Sequence, residues 1–181
     1  KPPAPPAGSE YMPTCVFLLL YGNDEPQILC VQKSDTKGYP WRNQIALPGG
    51  HIEQTDSGPV AAVFRELHEE LNIPREQVQL IGAVGHFQTI NNKDIEVFVG
   101  IWDGKGPIDY DSAEIARVFA VPVKDIINTH RNKNFHNRIP GITELVYPYG
   151  DVVIWGVTAR ILHHFIEVLY PFIFPEKTKS Q

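Results

Sequence analysis

Three glutamates, Glu66, Glu69 and Glu70, stand close together in the run Arg65-Glu66-Leu67-His68-Glu69-Glu70. On a helix, offsets of three and four residues bring all three carboxylates onto one surface. Like charges there repel by about 0.2–0.5 kcal/mol per pair in an isolated helix, and the last helical turn disfavours anions further. Arg65 relieves part of that repulsion. A hard divalent cation, Mg²⁺ or Mn²⁺, reverses the sign of both effects, since every ligand on offer is an oxygen. Without a metal the same residues read as a solvated acidic face. Upstream, Pro48-Gly49-Gly50 stops a strand with residues that permit unusual backbone angles, so a tight strand–loop–helix unit is expected to present the carboxylates.

The elements that must position them follow from periodicity and caps. A helix is predicted from Pro59 to Leu71, with Asp56 or Ser57 as N-cap, Pro59 in its first turn, and Val60, Val63, Phe64, Leu67 and Leu71 as its apolar face. Asn72 is suited to end it in a left-handed turn. Residues 15–21 and 28–32 read as a hairpin, and further strands are predicted at 44–47, 79–84, 95–101 and 117–120. A short helix at 122–127 and a long amphipathic one at 157–170 complete the chain. Strands dominate the middle and helices the edges, which predicts an α/β fold with a mixed sheet and helices on its faces. Residues 1–10, with four prolines, are expected to form a weakly ordered lead-in, 11–175 a single domain, and 176–181 a tail.

Composition narrows the function classes. The chain has 181 residues, a formal charge of −5 and 43% hydrophobic residues, enough for one packed core and too apolar for a disordered chain. Cys15 and Cys30 are the two cysteines, which excludes a disulfide framework and a four-cysteine zinc site, and both are expected to be buried in strands. An acidic chain has no global basic field for nucleic acid. No membrane partner is expected, because the apolar runs are short: Ile161-Leu162 meets His163-His164, and Phe165-Ile166 meets Glu167. His163 and His164 point about 100° apart on a helix and are not expected to share a metal.

Gly50-His51-Ile52-Glu53-Gln54-Thr55-Asp56, followed by Arg65-Glu66-Leu67-His68-Glu69-Glu70-Leu71-Asn72-Ile73, resembles the signature box of the Nudix hydrolases. The resemblance implies an α/β/α sandwich. It also implies a pyrophosphohydrolase that uses water and divalent metal to cleave a phosphoanhydride in a nucleoside diphosphate linked to another group. Carried over by position, Glu66, Glu69 and Glu70 are the implied metal ligands, with the Gly50 carbonyl completing the site and Arg65 holding the glutamates. Glu96, Glu114 and Glu144 are candidate general bases outside the box, and Glu114 is favoured because it precedes Phe119-Ala120-Val121-Pro122, where relatives carry a functional acid. Two departures stand out. Asp56 replaces a glutamate, with one extra residue before Arg65, and its shorter side chain is expected to fall short of that arginine. Asn72 replaces a glycine.

The longer spacing, with Ile154-Trp155-Gly156-Val157-Thr158-Ala159-Arg160, resembles the coenzyme A diphosphatase branch of the family. Gln44-Ile45-Ala46 fits that branch's further signature, while Tyr39, Asn43 and Leu47 stand where it has an Arg, a Gly and a Phe. The chain is also similar to divergent Nudix proteins of kinetoplastid mitochondria that act on RNA 5′ ends, which would imply a mitochondrial location. The favoured substrate is a nucleoside triphosphate or a 5′-triphosphate RNA end. Coenzyme A is an alternative, as is a nucleotide- or RNA-binding module with a degenerate box. The basic stretch from His130 to Arg138 supplies Arg131, Lys133 and Arg138 as candidate phosphate contacts. Tyr39, Trp41, Phe87 and Tyr147 are candidate base-stacking residues. Trp155 is expected to be structural. Protein partners in an RNA-processing complex are expected if RNA is the substrate, since one small basic loop on an acidic domain holds RNA weakly.

Overall fold

The sequence of β1 (Met12–Tyr21) alternates between two cores. Cys15, Phe17 and Leu19 pack into one, Val16, Leu18 and Leu20 into the other. A strand apolar on both sides belongs in the middle of a covered sheet. β2 (Gln27–Lys33) repeats the pattern, with Ile28 and Cys30 on one side and Leu29 and Val31 on the other. In this computed structural model, which describes residues 3–5, 7, 10–35 and 42–175, both strands are interior.

Among the described residues the sheet runs β3 (Ile45–Ala46), β2, β1, β6 (Lys93–Trp102), β5 (Val78–Gln88), with β4 (Gly49–His51) on β1 and β7 (Ile115–Pro122) on β2. β1 and β6 are parallel and the other pairs antiparallel, so the sheet is mixed. Helix α1 (Pro59–Leu71) covers one face, burying Ala62, Val63, Phe64, Leu67 and Leu71. Helices α2 (Val123–Asn132) and α3 (Gly156–Ile173), with the hairpin β8 (Tyr147–Tyr149) and β9 (Val152–Ile154), cover the other. This is the α/β/α sandwich the sequence predicts.

The sheet divides at one point. β1 and β2 pair beside their turn, Leu20 with Ile28 and Tyr21 with Gln27. Farther along, β1 takes β4 as its neighbour, Cys15 facing Gly50, while β2 takes β3, Val31 facing Ala46. The two strands therefore splay, and a cleft opens between them.

Several expectations need correction. Neither Asp56 nor Ser57 caps α1: its N-cap is Gly58 at φ 146°, and the Asp56 carboxylate is committed elsewhere. Asn72 does end the helix at φ 55°, its N–H donating to the His68 carbonyl at 2.9 Å. α2 extends through Asn132 rather than stopping near residue 127, and β8 and β9 are unforeseen. Trp155 stands half exposed at the N-cap of α3. Cys15 and Cys30 are fully buried as expected, and burial pushes both thiols up to about 12. No helix among the described residues is long and apolar enough to cross a membrane.

Candidate active site

Two glycines set the close approaches at the site, Gly49 that of β4 to β1 and Gly50 that of α1 to β4. At Gly49, with φ +144°, a Cβ would lie 2.2 Å from the Cys15 carbonyl oxygen. At Gly50 a Cβ would lie 2.4 Å from the Glu66 carboxyl carbon, so a hydrogen there lets that carboxylate press against β4. The Gly49 N–H then donates to Glu70 Oε2 at 2.9 Å.

Arg65 gathers the loop and the helix. Its Nε and Nη2 donate to Asp56 Oδ1 and Oδ2, both at 3.0 Å, in the two-pronged geometry that a guanidinium and a carboxylate favour. Nη1 donates to Glu66 Oε1 at 3.0 Å and Glu69 Oε2 at 2.8 Å, and Nη2 to the His51 carbonyl at 2.9 Å. The shorter Asp56 therefore does reach Arg65, contrary to expectation. The loop brings it there: Asp56 N–H donates to the Glu53 carbonyl at 3.1 Å, and the Glu53 N–H returns a bond to Asp56 Oδ2 at 2.8 Å. The guanidinium holds the Asp56 carboxyl below the usual carboxylate range.

The cleft has a volume of about 330 Å³, and Glu66, Glu70, Gly50, Lys33, Lys93 and Glu114 are among the residues that line it. An adjoining cavity of about 360 Å³ is lined by Glu66, Glu69, Glu70, Asp111 and Glu114. Lys33 Nζ bonds Glu70 Oε1 at 2.6 Å, with the side chains 15% and 9% exposed. Burial raises the Glu66 pKa against the pull of Arg65, and Glu70 and Glu69 raise it further. Burial and then Lys33 lower that of Lys93. The clustered acids favour an added cation, and the clustered lysines an added anion. An all-oxygen donor set, a half-buried acid beside two like charges, and a glycine cradle fit a hard divalent ion.

Other expected site residues fall elsewhere. Phe87 is 3% exposed and meets His164 edge-on at 5.7 Å inside the core, so it offers no face to a base. Tyr147 is likewise fully buried. Arg131, Lys133 and Arg138 line neither cavity, because the basic stretch is no free loop: it starts within α2 and is anchored by the fully buried His130 and Phe135. Arg131 lies over Phe174 at 4.7 Å, Arg138 pairs with Glu144, and the Lys133 N–H caps α2 on the Thr129 carbonyl at 3.0 Å. Glu144 and Glu96, the latter 3.9 Å from His86, line neither cavity. Tyr39 and Trp41 lie outside the described residues. Lys33, Lys93 and Asp111 were not anticipated; each reaches the site through long-range topology that leaves no local mark in the sequence.

The NUDIX domain family model matches residues 12–140, a stretch that carries both the glycine cradle and the acidic helix. The chain belongs to the Nudix family. It is 27% identical over 154 residues to the uncharacterized Nudix hydrolase NudL of Photorhabdus laumondii, covering 84% of this chain and 82% of the relative. NudL of Enterobacter sp. strain 638 is 29% identical over 150 residues, 81% and 77% of the two chains. Among solved structures, the NUDIX domain of Shewanella oneidensis NrtR complexed with ADP ribose superposes with TM-score 0.59 at 16% identity, covering 90% of this chain and 91% of that one. A C. elegans Ap4A hydrolase binary complex gives 0.54 at 17%, covering 64% and 83%. At these identities the structural likeness speaks to the Nudix fold alone.

Proposed function

We propose that this Nudix chain is a metal-dependent pyrophosphohydrolase acting on a free nucleotide-type substrate, either a nucleoside triphosphate or a nucleoside diphosphate carrying another group. The observation that carries the reading is a single cleft that gathers the carboxylates and the glycine cradle together with two cations, Lys33, which pairs with Glu70, and Lys93. Glu66, Glu69, Glu70 and the Gly50 carbonyl would hold Mg²⁺ or Mn²⁺. A bound ion of this kind neutralises phosphate charge and brings the pKa of a coordinated water toward neutrality. Lys33 and Lys93 take non-bridging phosphate oxygens and offset charge on the leaving phosphate. Glu114, exposed and lining both cavities, accepts the proton of the attacking water as its oxygen bonds to phosphorus and the bridging P–O bond breaks. Arg65 acts as a positioning residue through Glu66 and Glu69.

The coenzyme A alternative draws support from one further observation, against which stand the departures at Tyr39, Asn43 and Leu47. The two segments that resemble the coenzyme A diphosphatase branch meet in the cleft wall: Thr158 Oγ1 donates to the Ile45 carbonyl at 2.9 Å, and Gln44, Ile45, Val157 and Thr158 all line the cavity. An RNA 5′ end has thinner support, since Arg131, Lys133 and Arg138 lie away from it.

The test is product analysis with UTP, coenzyme A and a 5′-triphosphate RNA, in Mg²⁺ and separately in Mn²⁺. Cleavage of UTP or coenzyme A is expected, with orders of magnitude lost in a Glu69→Gln, Glu70→Gln variant. Turnover of RNA alone would overturn the substrate class. Tight nucleotide binding without turnover of any substrate would replace the enzyme with a binding module.

A further inference from the structure

On the opposite face of the sheet, three side chains from separate places in the chain converge. His130 comes from α2, His136 from the turn that follows it, and Glu167 from α3. His130 Nε2 lies 2.8 Å from Glu167 Oε1 and His136 Nδ1 lies 2.9 Å from the same oxygen; all three atoms fall within 4.8 Å of one another. None of them lines the carboxylate cleft. We propose that His130, His136 and Glu167 form a second metal site, which takes a zinc-class divalent ion and ties α2 to α3.

The donor set argues for that class of ion. Two imidazole nitrogens and one carboxylate oxygen are the three-ligand combination with which Zn²⁺ leaves a fourth position open, whereas Mg²⁺ prefers oxygens. A cavity of about 510 Å³ lined by Arg131, Asn132, Asn134, His136 and Tyr170 adjoins the cluster, leaving room for water at that fourth position. Zinc bonds of 2.0–2.1 Å place neighbouring ligand atoms about 3.3 Å apart. The two N···O distances therefore need to open by a few tenths of an ångström, and Glu167, 22% exposed, can back away toward solvent.

The surrounding groups orient these ligands and suit both states. The Glu167 Oε2 atom is fixed by the Asn137 N–H at 3.0 Å. His130 Nδ1 faces the Tyr147 hydroxyl at 3.0 Å, and His136 Nε2 faces the Asn137 carboxamide at 3.0 Å while its ring stacks on Tyr170 at 3.5 Å. A hydroxyl can donate or accept, and a carboxamide can do either by turning over. Without metal both imidazoles donate to Glu167 and accept from these outer partners. With metal they turn lone pairs inward and donate outward, the arrangement by which outer hydrogen bonds fix a ligating histidine. Lysine or arginine at these outer positions would permit only one of the two.

The experiment uses the full chain stripped with a chelator and titrated with Co²⁺, whose visible bands report four- or five-coordinate nitrogen and oxygen sites. One equivalent is expected to give these bands, and Zn²⁺ to bleach them. A Glu66→Gln, Glu69→Gln, Glu70→Gln variant should keep the bands, and His136→Ala should lose them. His136 is one-third exposed, so that variant is checked for folding by thermal unfolding in chelator. In the same scans Zn²⁺ should raise the melting temperature of the wild type and the triple variant but not of His136→Ala. Absence of bands from the wild type, or bands removed by the triple variant and kept by His136→Ala, would overturn the site.

Discussion

Asp56 shows how a one-methylene difference is absorbed. The side chain is shorter than the glutamate of the family's box, yet the loop turns back on itself at Glu53 and delivers both carboxylate oxygens to Arg65. Its value is positional, because Arg65 in turn restrains Glu66 and Glu69. Asp56→Asn should therefore lower activity, or the apparent affinity for the activating metal, by about 10–100-fold, the usual cost of losing a partner behind the ligands. Acid stability supplies a second readout. A carboxyl held below its ordinary pKa adds stability that is complete above about pH 4 and is lost as pH falls through the depressed folded value. Urea unfolding across that range should show a steeper acid loss in the wild type than in Asp56→Asn. Parallel curves would mean that Arg65 takes little from this contact.

At the scale of elements, helix α1 was readable because local chemistry and tertiary demand agree. Pro59, the apolar spacing from Val60 to Leu71, and Asn72 all mark the same segment, and the structure follows it residue for residue. Asn72 sits at φ 55°, so Asn72→Ala should cost about 1–2 kcal/mol in denaturant unfolding, while Asn72→Gly should be near neutral. Equal losses for both would point instead to a lost side-chain contact. Where local chemistry and tertiary demand part, the sequence is silent. β8 contains Pro148, a residue that argues against a strand unless it lies in a small edge hairpin, as it does here. The end of α2 reads as polar because His130 is polar, but its partners Tyr147 and Glu167 lie 17 and 37 residues away and no local pattern announces them. The same holds for the cleft: the glutamates were legible as a motif, whereas Lys33 meets Glu70 across 37 residues and only through the pairing of the sheet.

For the whole molecule, the decisive feature is the splaying of β1 from β2. A sheet paired along its full length would seal the space between Val16 and Ile45, and α1 would present its carboxylates to a closed wall. Division of the sheet gives the cleft a lining of both aliphatic and charged side chains, while an independent apolar core on each face keeps the framework rigid. Cys15 belongs to one of these cores and Cys30 to the other. A native sample treated with an aromatic disulfide reagent should release no thiolate signal on the timescale of minutes, and both thiols should react once the chain is unfolded in guanidinium. Reaction of a single thiol without denaturant would show that one face opens independently of the other. Sealed thiols also make the protein a blank background for labelling. A cysteine introduced at Trp155, half exposed and two positions before the cleft residue Val157, would be the sole site for a maleimide fluorophore, turning the chain into an optical reporter of whatever enters its cleft.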